Sequence, residues 1–295
     1  MEETLKEKLN GRRVIASVSG GKDSAALSLW LTEQGIDHDR VFADTGWEHP
    51  LTYEYLRGPL TAKLGPIAEV QGRDAGMANL VRRKGMFPSR VVRFCTEELK
   101  VFPLAKYVKA QQDLHGEVVN TVGIRAAESA ARAKMPEWEW SDTFDCEVWR
   151  PLISWTEQQV IDIHHRHGLA PNPLYLKGAT RVGCWPCIFS RKAEIKLVAK
   201  LSTDRIDQIR KLEVEVSAAA AARGSAHPKY GSVRTFFAGK ATREMSPMPI
   251  DDAVVWSKTK RGGKEEEVFD SEPEGCVRWG LCEPQVQLSL LEEDP

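Results

Sequence analysis

Residues 13–24 carry the sequence Arg-Val-Ile-Ala-Ser-Val-Ser-Gly-Gly-Lys-Asp-Ser. The β-branched run, ended by two glycines, predicts a buried strand over residues 13–19 that enters a tight turn. The apolar residues Ala26, Leu27, Trp30 and Leu31 then have the spacing of an amphipathic helix over residues 23–34. Such a strand, turn and helix direct backbone N–H groups and a positive helix end to one place, which suits a polyphosphate.

The same loop supplies candidate side chains for binding phosphate. Lys22 can neutralise charge on a phosphate group, and serine hydroxyls can donate hydrogen bonds to its oxygens. The candidate nucleotide-binding residues are Ser17, Ser19, Gly20, Gly21, Lys22, Asp23 and Ser24. The alternative phosphate-loop pattern, G-x-x-x-x-G-K followed by Ser or Thr, is absent because Asp23 follows the lysine. The structural alternative is a plain strand-to-helix turn with exposed polar residues.

Strand and helix patterns alternate beyond this loop. Candidate strands cover residues 41–43, 66–70, 118–122 and 148–152, and candidate helices cover residues 156–167 and 191–223. This alternation predicts an α/β fold, a parallel twisted sheet with helices on both faces. Because Pro, Gly and Cys cluster after residue 170, we predict a nucleotide-binding α/β domain over residues 1–170. A cysteine-containing helical and irregular region over residues 171–295 is expected to pack on it.

Composition narrows the class of protein. The chain has 295 residues and 42% hydrophobic content, enough for a substantial core. Its 41 basic and 42 acidic residues nearly cancel, so no global positive field draws nucleic acid to it. We find no apolar run of about 18 to 20 residues and no N-terminal signal segment, so we expect a cytoplasmic protein without a membrane partner. In a reducing compartment its six cysteines favour free thiols, metal ligands or catalysis over disulfides.

Five motifs carry a family resemblance. Ser19 to Ser24 resemble the PP-loop of ATP pyrophosphatases, which have an adenine nucleotide alpha hydrolase-like fold and cleave ATP between its α and β phosphates. Four further stretches resemble the phosphoadenosine phosphosulfate (PAPS) reductase branch of that superfamily. They are Val41 to Glu48, Cys95 to Leu104, Gly123 to Arg132, and Trp149 to Trp155. The resemblance covers roughly residues 12 to 190.

The resemblance implies roles for individual residues. Asp44, Thr45, Gly46, Lys100 and Gly123 are expected beside the nucleotide. The catalytic candidates are Lys22, Asp23, Arg125 and Arg132, with the two arginines meeting the substrate and Mg²⁺ screening the phosphates. The alternative for both arginines is a solvated surface. Strand ends meet at one edge of a parallel sheet, where guanidinium groups suit phosphate or sulfate.

Five cysteines are candidate metal ligands. Cys184 and Cys187 form a C-x-x-C in a Pro/Gly-rich loop, Cys95 lies in a recognised motif, and Cys276 and Cys282 stand near the C-terminus. Four of them could hold a [4Fe-4S] cluster, structural zinc is the rival, and a redox dithiol or buried free thiols are further alternatives. The resemblance favours the cluster.

Two departures from the family pattern shape the expected function. Reductases of the cluster type have two adjacent cysteines where this chain has Phe94-Cys95. A fourth ligand must therefore come from elsewhere, and Cys276 and Cys282 are the candidates. Sulfonucleotide reductases also carry a C-terminal Glu-Cys-Gly-(Leu/Ile)-His segment, which is absent. With its single upstream cysteine, the pattern is similar to the ATP pyrophosphatases of DNA phosphorothioate modification and to related phage and defence-island proteins.

These features lead to three functional hypotheses. The first is an ATP pyrophosphatase that supports sulfur transfer, including nucleic-acid thiolation, with an iron-sulfur cluster. The second is a PAPS or adenosine phosphosulfate (APS) reductase that releases sulfite, and the third is a nucleotide-binding subunit of a modification or defence complex. The expected partners are a nucleotide, a nucleic acid reached through a partner protein, a sulfur donor or reductant protein, and a second copy of the chain in a homodimer.

Overall fold

The computed structural model describes residues 5–241, residues 245–259 and Trp279. Within these residues a six-stranded sheet has the order β3-β2-β1-β4-β6-β5. Its strands are β1 Arg13–Ser17, β2 His38–Asp44, β3 Ala68–Gln71, β4 Val118–Val122, β5 Trp138–Ser141 and β6 Cys146–Trp149. All neighbouring strands pair in parallel except β5, which runs antiparallel to β6 at one edge. The predicted α/β class is confirmed.

Helices connect and cover these strands. They are α1 Leu5–Leu9, α2 Lys22–Glu33, α3 Pro50–Tyr55, α4 Thr61–Leu64, α5 Met77–Lys84, α6 Phe94–Thr96, α7 Phe102–His115, α8 Glu157–Arg166, α9 Pro173–Leu176, α10 Lys192–Leu201, α11 Thr203–Ala222 and α12 Ile250–Ser257. A π-helical turn, Leu56–Leu60, joins α3 to α4, and another, Glu97–Val101, joins α6 to α7. A two-stranded antiparallel ribbon, β7 Phe237–Ala241 and β8 Met245–Met248, precedes α12.

Alternate residues of β1 show that helices cover both faces of the sheet. Val14 and Ala16 belong to the buried cluster that contains residues of α2 and α8. Ile15 belongs to a different buried cluster with Val108 of α7. Because side chains along a strand alternate between faces, β1 is buried on both sides, as the short β-branched run predicts.

The strand order creates a crevice at one edge of the sheet. The chain leaves β1 through α2 to β2 on one side, whereas β4 pairs with β1 on the other side. The carboxyl ends of β1 and β4 therefore flank a point where the strand order reverses, and ligands of open α/β sheets bind at such points.

Several boundaries differ from the sequence-based expectation. The predicted strand over residues 148–152 is β6, which begins at Cys146 and ends at Trp149. The predicted helix over residues 191–223 is interrupted at Ser202, which is buried and accepts a hydrogen bond from Trp185 Nε1 at 3.0 Å. A tertiary contact therefore overrides the local helical pattern.

Residues on both sides of position 170 share one buried cluster. Trp47, Leu80 and Leu99 pack in it together with Ile206 and Leu212 of α11. The division into residues 1–170 and 171–295 stays a prediction, and the packing between the two regions is extensive. Among the described helices, none combines the length and apolar character needed to cross a membrane.

Candidate nucleotide and thiol site

The loop between β1 and α2 is a closed turn with a left-handed residue. Gly20 has φ +71°, and a β-carbon on it would lie 3.0 Å from Thr52 Cγ2. Ser24 Oγ accepts the backbone N–H of Ser19 at 3.0 Å and donates to the carbonyl of Gly21 at 3.0 Å. Glycine is therefore required at position 20, because a side chain there would be strained by the positive φ and would crowd Thr52. Ser24, in the first turn of α2, stabilises the loop through its two hydrogen bonds.

The start of α2 faces the crevice without a side-chain cap of its own. The N-cap residue is Gly21, which has no side chain and so cannot cap the helix with one. The hydroxyl of Tyr175 accepts the backbone N–H of Lys22 at 3.1 Å, and Asn172 Nδ2 donates to the carbonyl of Gly20 at 3.1 Å. A helix N-terminus with its N–H groups directed at a crevice favours an anion. Sequence reasoning missed Asn172 and Tyr175, whose only signal was the Pro-rich segment around them.

Lys22 is a buried cation with fixed neighbours. Its Nζ lies 3.3 Å from Glu157 Oε1, 3.7 Å from Asp23 Oδ2 and 5.0 Å from the centre of the Tyr175 ring. Its side chain is 7% exposed, so it cannot move freely in solvent. The predicted phosphate lysine is thus held at the mouth of the loop by a carboxylate on α8 that the sequence did not reveal.

The loop after β4 packs directly on the first turn of α2. A β-carbon on Gly123 would lie 2.6 Å from the carbonyl oxygen of Asp23, so only glycine fits there. Arg125 Nε donates to Asp23 Oδ1, and the Arg125 backbone N–H donates to Glu128 Oε2 at 2.7 Å. Arg132 forms an ion pair with Glu128. Glu128 therefore links the two predicted arginines in the segment after β4, and their contact with substrate stays a prediction.

Asp44 orders the loop that follows β2. Its Oδ1 accepts the Tyr53 hydroxyl at 2.6 Å and the Gly46 N–H at 2.8 Å, and its Oδ2 accepts Gln71 Nε2 at 2.6 Å. Thr45 Oγ1 donates to Glu48 Oε1 at 2.7 Å. Burial, followed by the charge of Glu48, raises the pKa of Tyr53, which keeps this phenol protonated. These hydrogen bonds therefore fix the conformation of Asp44, Thr45 and Gly46, the residues predicted to lie beside the nucleotide.

The cysteine loop lies between the loop after β2 and the phosphate loop. Glu48 and Cys184 form an isolated β-bridge, and Trp185 N donates to the carbonyl of Trp47 at 2.8 Å. Cys184 Sγ lies 3.7 Å from Thr45 Oγ1. On the other side, a β-carbon on Gly21 would lie 3.6 Å from the carbonyl oxygen of Val182. The C-x-x-C segment therefore adjoins the phosphate loop, although about 160 residues separate the two in sequence.

Cations surround the thiols of this loop. Burial raises the pKa of Cys95, and neighbouring Cys184 raises it further. Burial also raises the pKa of Cys184, while the charge of Lys100 opposes that rise. The pKa of Lys100 is raised, chiefly by Cys184. Burial lowers the pKa of Arg181, but the charges of Cys187 and Glu194 outweigh it, so the pKa is raised. Three predicted ligands and the predicted Lys100 thus form one electrostatic cluster.

The donor chemistry fits an iron-sulfur cluster or zinc only when a further thiolate joins. Within the part of the chain that the structure describes, no three His, Cys, Asp or Glu side chains are arranged to hold a metal ion. Cys276 and Cys282 lie outside the described residues. Trp279, between them in sequence, is buried with ring centres 5.8 Å from Tyr175 and 5.2 Å from His164. Trp279 therefore packs against Tyr175, the residue that contacts the phosphate loop, and it is three residues from both Cys276 and Cys282 in the sequence.

Comparison with known proteins identifies the family. A family model described as the phosphoadenosine phosphosulfate reductase domain matches residues 13–190. An uncharacterized 37.8 kDa protein of Escherichia phage 186 is 31% identical over an alignment that covers 91% of this chain and 96% of the phage protein. The adenosine 5'-phosphosulfate reductase of Anoxybacillus flavithermus is 28% identical over 59% of this chain and 72% of the reductase.

Solved structures with a similar arrangement have lower identity. The phosphoadenylyl-sulfate reductase of Candida auris, in a phosphate complex, has a TM-score of 0.45 at 17% identity, covering 60% of this chain and 84% of that one. The U34-tRNA thiolase NcsA of Methanococcus maripaludis, solved with its [4Fe-4S] cluster, has a TM-score of 0.38 at 14% identity, covering 77% and 78%. Since the family match covers more than half of the sequence and the phage relative spans nearly all of it, the chain belongs to the phosphoadenosine phosphosulfate reductase family.

Proposed function

We propose that this protein is an ATP pyrophosphatase that activates a substrate for sulfur transfer. The observation that carries the proposal is the start of α2, where Gly20, Gly21 and Lys22 meet the reversal of strand order. Membership of the PAPS reductase family supports a nucleotide ligand and an enzymatic role. The missing Glu-Cys-Gly-(Leu/Ile)-His segment argues against direct reduction of an activated sulfate.

The geometry suggests how the chemistry is divided. The N–H groups of the loop and Lys22 Nζ hold the leaving pyrophosphate, while the rigid loop from Asp44 to Gly46 contacts the adenosine part. A substrate oxygen attacks the α-phosphorus, the bond from that phosphorus to the bridging oxygen breaks, and pyrophosphate leaves. A sulfur nucleophile then displaces AMP from the activated substrate. Mg²⁺ screens the phosphate charges, and Arg125 and Arg132 orient the substrate.

The thiols are proposed to bind the iron-sulfur cofactor. Cys95, Cys184 and Cys187, with Cys276 or Cys282, would hold a [4Fe-4S] cluster, for which zinc is the alternative. When bound, such a cluster supplies a sulfur-transfer or structural centre. Lys100 and Arg181 offset the negative charge of the thiolates.

Metal content tests the ligand assignment. Anaerobically purified protein is expected to contain about four irons per chain and to absorb visible light through thiolate-to-iron transitions. Substituting Cys95, Cys184 or Cys187 by serine should abolish iron binding. Cys146 is the matched control, because it is buried in the core beside Val118, and Cys146→Ser should retain the iron. One zinc and no iron in the wild-type protein would refute the cluster.

Product analysis tests the reaction. With Mg²⁺, ATP and a pool of candidate acceptors, we expect AMP and pyrophosphate in equal amounts and none from the Lys22→Ala variant. ADP with phosphate would indicate cleavage at the wrong bond. ATP binding without turnover under all conditions would instead favour a nucleotide-binding subunit of a modification or defence complex.

A sulfonucleotide reductase is the second candidate, favoured by the similarity to APS reductases. It predicts sulfite release from PAPS or APS with thioredoxin as reductant. Separate serine variants of Cys276 and Cys282 distinguish the two functions. A variant that loses iron identifies a ligand, whereas one that loses sulfite release and retains iron identifies a nucleophile. The proposal also includes a cytoplasmic location, a sulfur donor or reductant protein, and a homodimer.

A further inference from the structure

Four exposed arginines surround the cysteine loop. They are Arg90, Arg93, Arg181 and Arg191, and we call them the basic rim. Arg90 and Arg93 lie on the loop that leads into Cys95, Arg181 lies three residues before Cys184, and Arg191 precedes α10. None of the four belongs to the set that the phosphate-loop chemistry uses.

Contacts connect three of these arginines to the segments around the cysteine loop. The guanidinium carbon of Arg93 lies 4.9 Å from the centre of the Phe189 ring, two residues after Cys187. Arg181 Nε lies 3.5 Å from Glu194 Oε1. Glu194 also accepts the backbone N–H of Arg191 at 2.7 Å. Arg93 therefore lies beside the cysteine loop, and Glu194 links Arg181 to the segment that carries Arg191. Glu194 supplies one negative charge against the four positive charges of the rim.

The segment that carries Arg90 is an ordered turn. Ser89 N donates to the carbonyl of Val92 at 2.9 Å, and Ser89 Oγ accepts the N–H groups of Val91 at 3.2 Å and Val92 at 3.1 Å. These bonds hold Arg90 at the surface next to Val91, which is 83% exposed. An ordered turn with a cation and an apolar side chain loses little conformational freedom when a ligand binds.

We propose that the basic rim and Phe189 bind a single-stranded nucleic acid and bring its phosphodiester backbone to the thiol site. Guanidinium forks match phosphate oxygens, and arginine planes with aromatic rings accept unstacked bases. The chain as a whole carries a net charge of −1, so the attraction is local. The inference rests on the proposed function for its catalytic meaning, and it assigns to this chain the nucleic-acid contact that we expected from a partner.

The test measures binding of the intact protein to fluorescein-labelled oligo(dT) and oligo(U) of 20 nucleotides by anisotropy over a salt series. Wild type should bind more weakly as salt rises. In Arg90→Gln/Arg93→Gln the slope of log K against log salt should become shallower by roughly 1.4, since each single-strand phosphate contact contributes about 0.7. The control Lys63→Gln/Lys106→Gln removes two exposed positive charges on α4 and α7 and should leave the slope unchanged.

Two further arms define the ligand class. Phe189→Leu should weaken binding by about threefold or more at every salt concentration without changing the slope, because stacking is not ionic. Oligoglutamate should compete poorly with the oligonucleotide, and anionic lipid vesicles should not be bound.

Several results would overturn the inference. They are the absence of binding at low salt, an unchanged slope in Arg90→Gln/Arg93→Gln, or equal competition by oligoglutamate. Pyrophosphate release from ATP, measured on the same preparations, separates the two claims. A wild-type protein that cleaves ATP yet binds no oligonucleotide refutes only the basic rim. One that binds oligonucleotides through the rim and never releases pyrophosphate refutes only the proposed reaction.

Discussion

Gly123 has no β-carbon, and this lets the loop after β4 pack closely against the first turn of α2, next to the phosphate loop. Replacing Gly123 by alanine would place a carbon 2.6 Å from the carbonyl oxygen of Asp23, which is backbone and cannot move alone. We expect a loss of about 1–3 kcal/mol in the free energy of unfolding, together with weaker ATP binding. Denaturant titration and calorimetry measure the two effects. Gly58→Ala is the control, since nothing lies within 4 Å of its new carbon. Equal effects of both substitutions would contradict this explanation.

His164 makes stability depend on pH. The ring is fully buried, its Nδ1 lies 2.7 Å from the carbonyl oxygen of Val160, and burial lowers its pKa to about 4. Below pH 6.5 the unfolded chain binds this proton first, so stability falls as pH decreases from 6.5 to 4. Between pH 7.5 and pH 5 the wild type should lose about 2 kcal/mol more than His164→Leu. Parallel stability curves for the two proteins would be inconsistent with this assignment.

Local sequence revealed the residues whose partners are close in the chain. Ser24 and Lys22 are predictable because the strand, turn and helix that position them are contiguous. Glu157, Asn172 and Tyr175 meet the same loop from more than 130 residues away. No periodicity encodes such contacts, so the phosphate loop could be predicted and its supports could not.

The short helix α9 fixes the loop through its N-cap residue. Asn172 Oδ1 accepts the N–H of Leu174 at 3.0 Å, while its Nδ2 donates to the carbonyl of Gly20. Asn172→Ser can keep the cap but cannot reach Gly20, and Asn172→Ala loses both contacts. We expect ATP affinity to fall about fivefold in each variant. Stability should be about 1 kcal/mol lower in alanine than in serine.

Calorimetry with ATP and thermal unfolding measure these two quantities. Wild-type ATP affinity in Asn172→Ser would show that the tether to Gly20 is unimportant. Equal stability of the two variants would show that the cap is unimportant.

Element predictions succeeded where apolar residues form a buried or amphipathic pattern, and they missed strands without such a pattern. The helix predicted at residues 156–167 forms as α8, with the Thr156 cap accepting the N–H of Gln159 at 3.2 Å. Strand β5 has four residues at the sheet edge and stays half exposed, so its sequence lacks a buried run. The ribbon of β7 and β8 was missed because its short strands contain Gly239 and Pro247, residues that are depleted in strands.

The core of the whole molecule extends beyond the family match. Helices α10 to α12 cover Trp47 and Leu99, and buried Glu213 of α11 accepts the N–H groups of Phe236 at 2.9 Å and Ile250 at 3.1 Å. A fragment that ends at residue 190 would expose this apolar surface to water. We expect it to aggregate or to unfold without a cooperative thermal transition. A sharp transition in the fragment would show that residues 13–190 are stable alone.

The family and the phosphate loop were predictable because contiguous motifs carry them. Only the family resemblance suggested that Cys95, Cys184 and Cys187 lie together beside Lys100. The residues themselves could not show it, because the proximity depends on pairing between the loop after β2 and the cysteine loop, which are far apart in the sequence. The predicted ligands Cys276 and Cys282 lie outside the described residues, so their part in the site stays a prediction.

Calorimetric titration with Mg²⁺ and ATP tests the central claim that the loop after β1 binds nucleotide phosphates. Wild type should release heat on binding, and Lys22→Ala should bind about tenfold more weakly or worse, because a charged hydrogen-bond donor is lost. Lys8→Ala is the control, as Lys8 lies 5.2 Å from the Trp138 ring rather than at the loop. Lys8→Ala should bind ATP with wild-type affinity. Absence of binding heat in the wild type, or an unchanged affinity in Lys22→Ala, would contradict it.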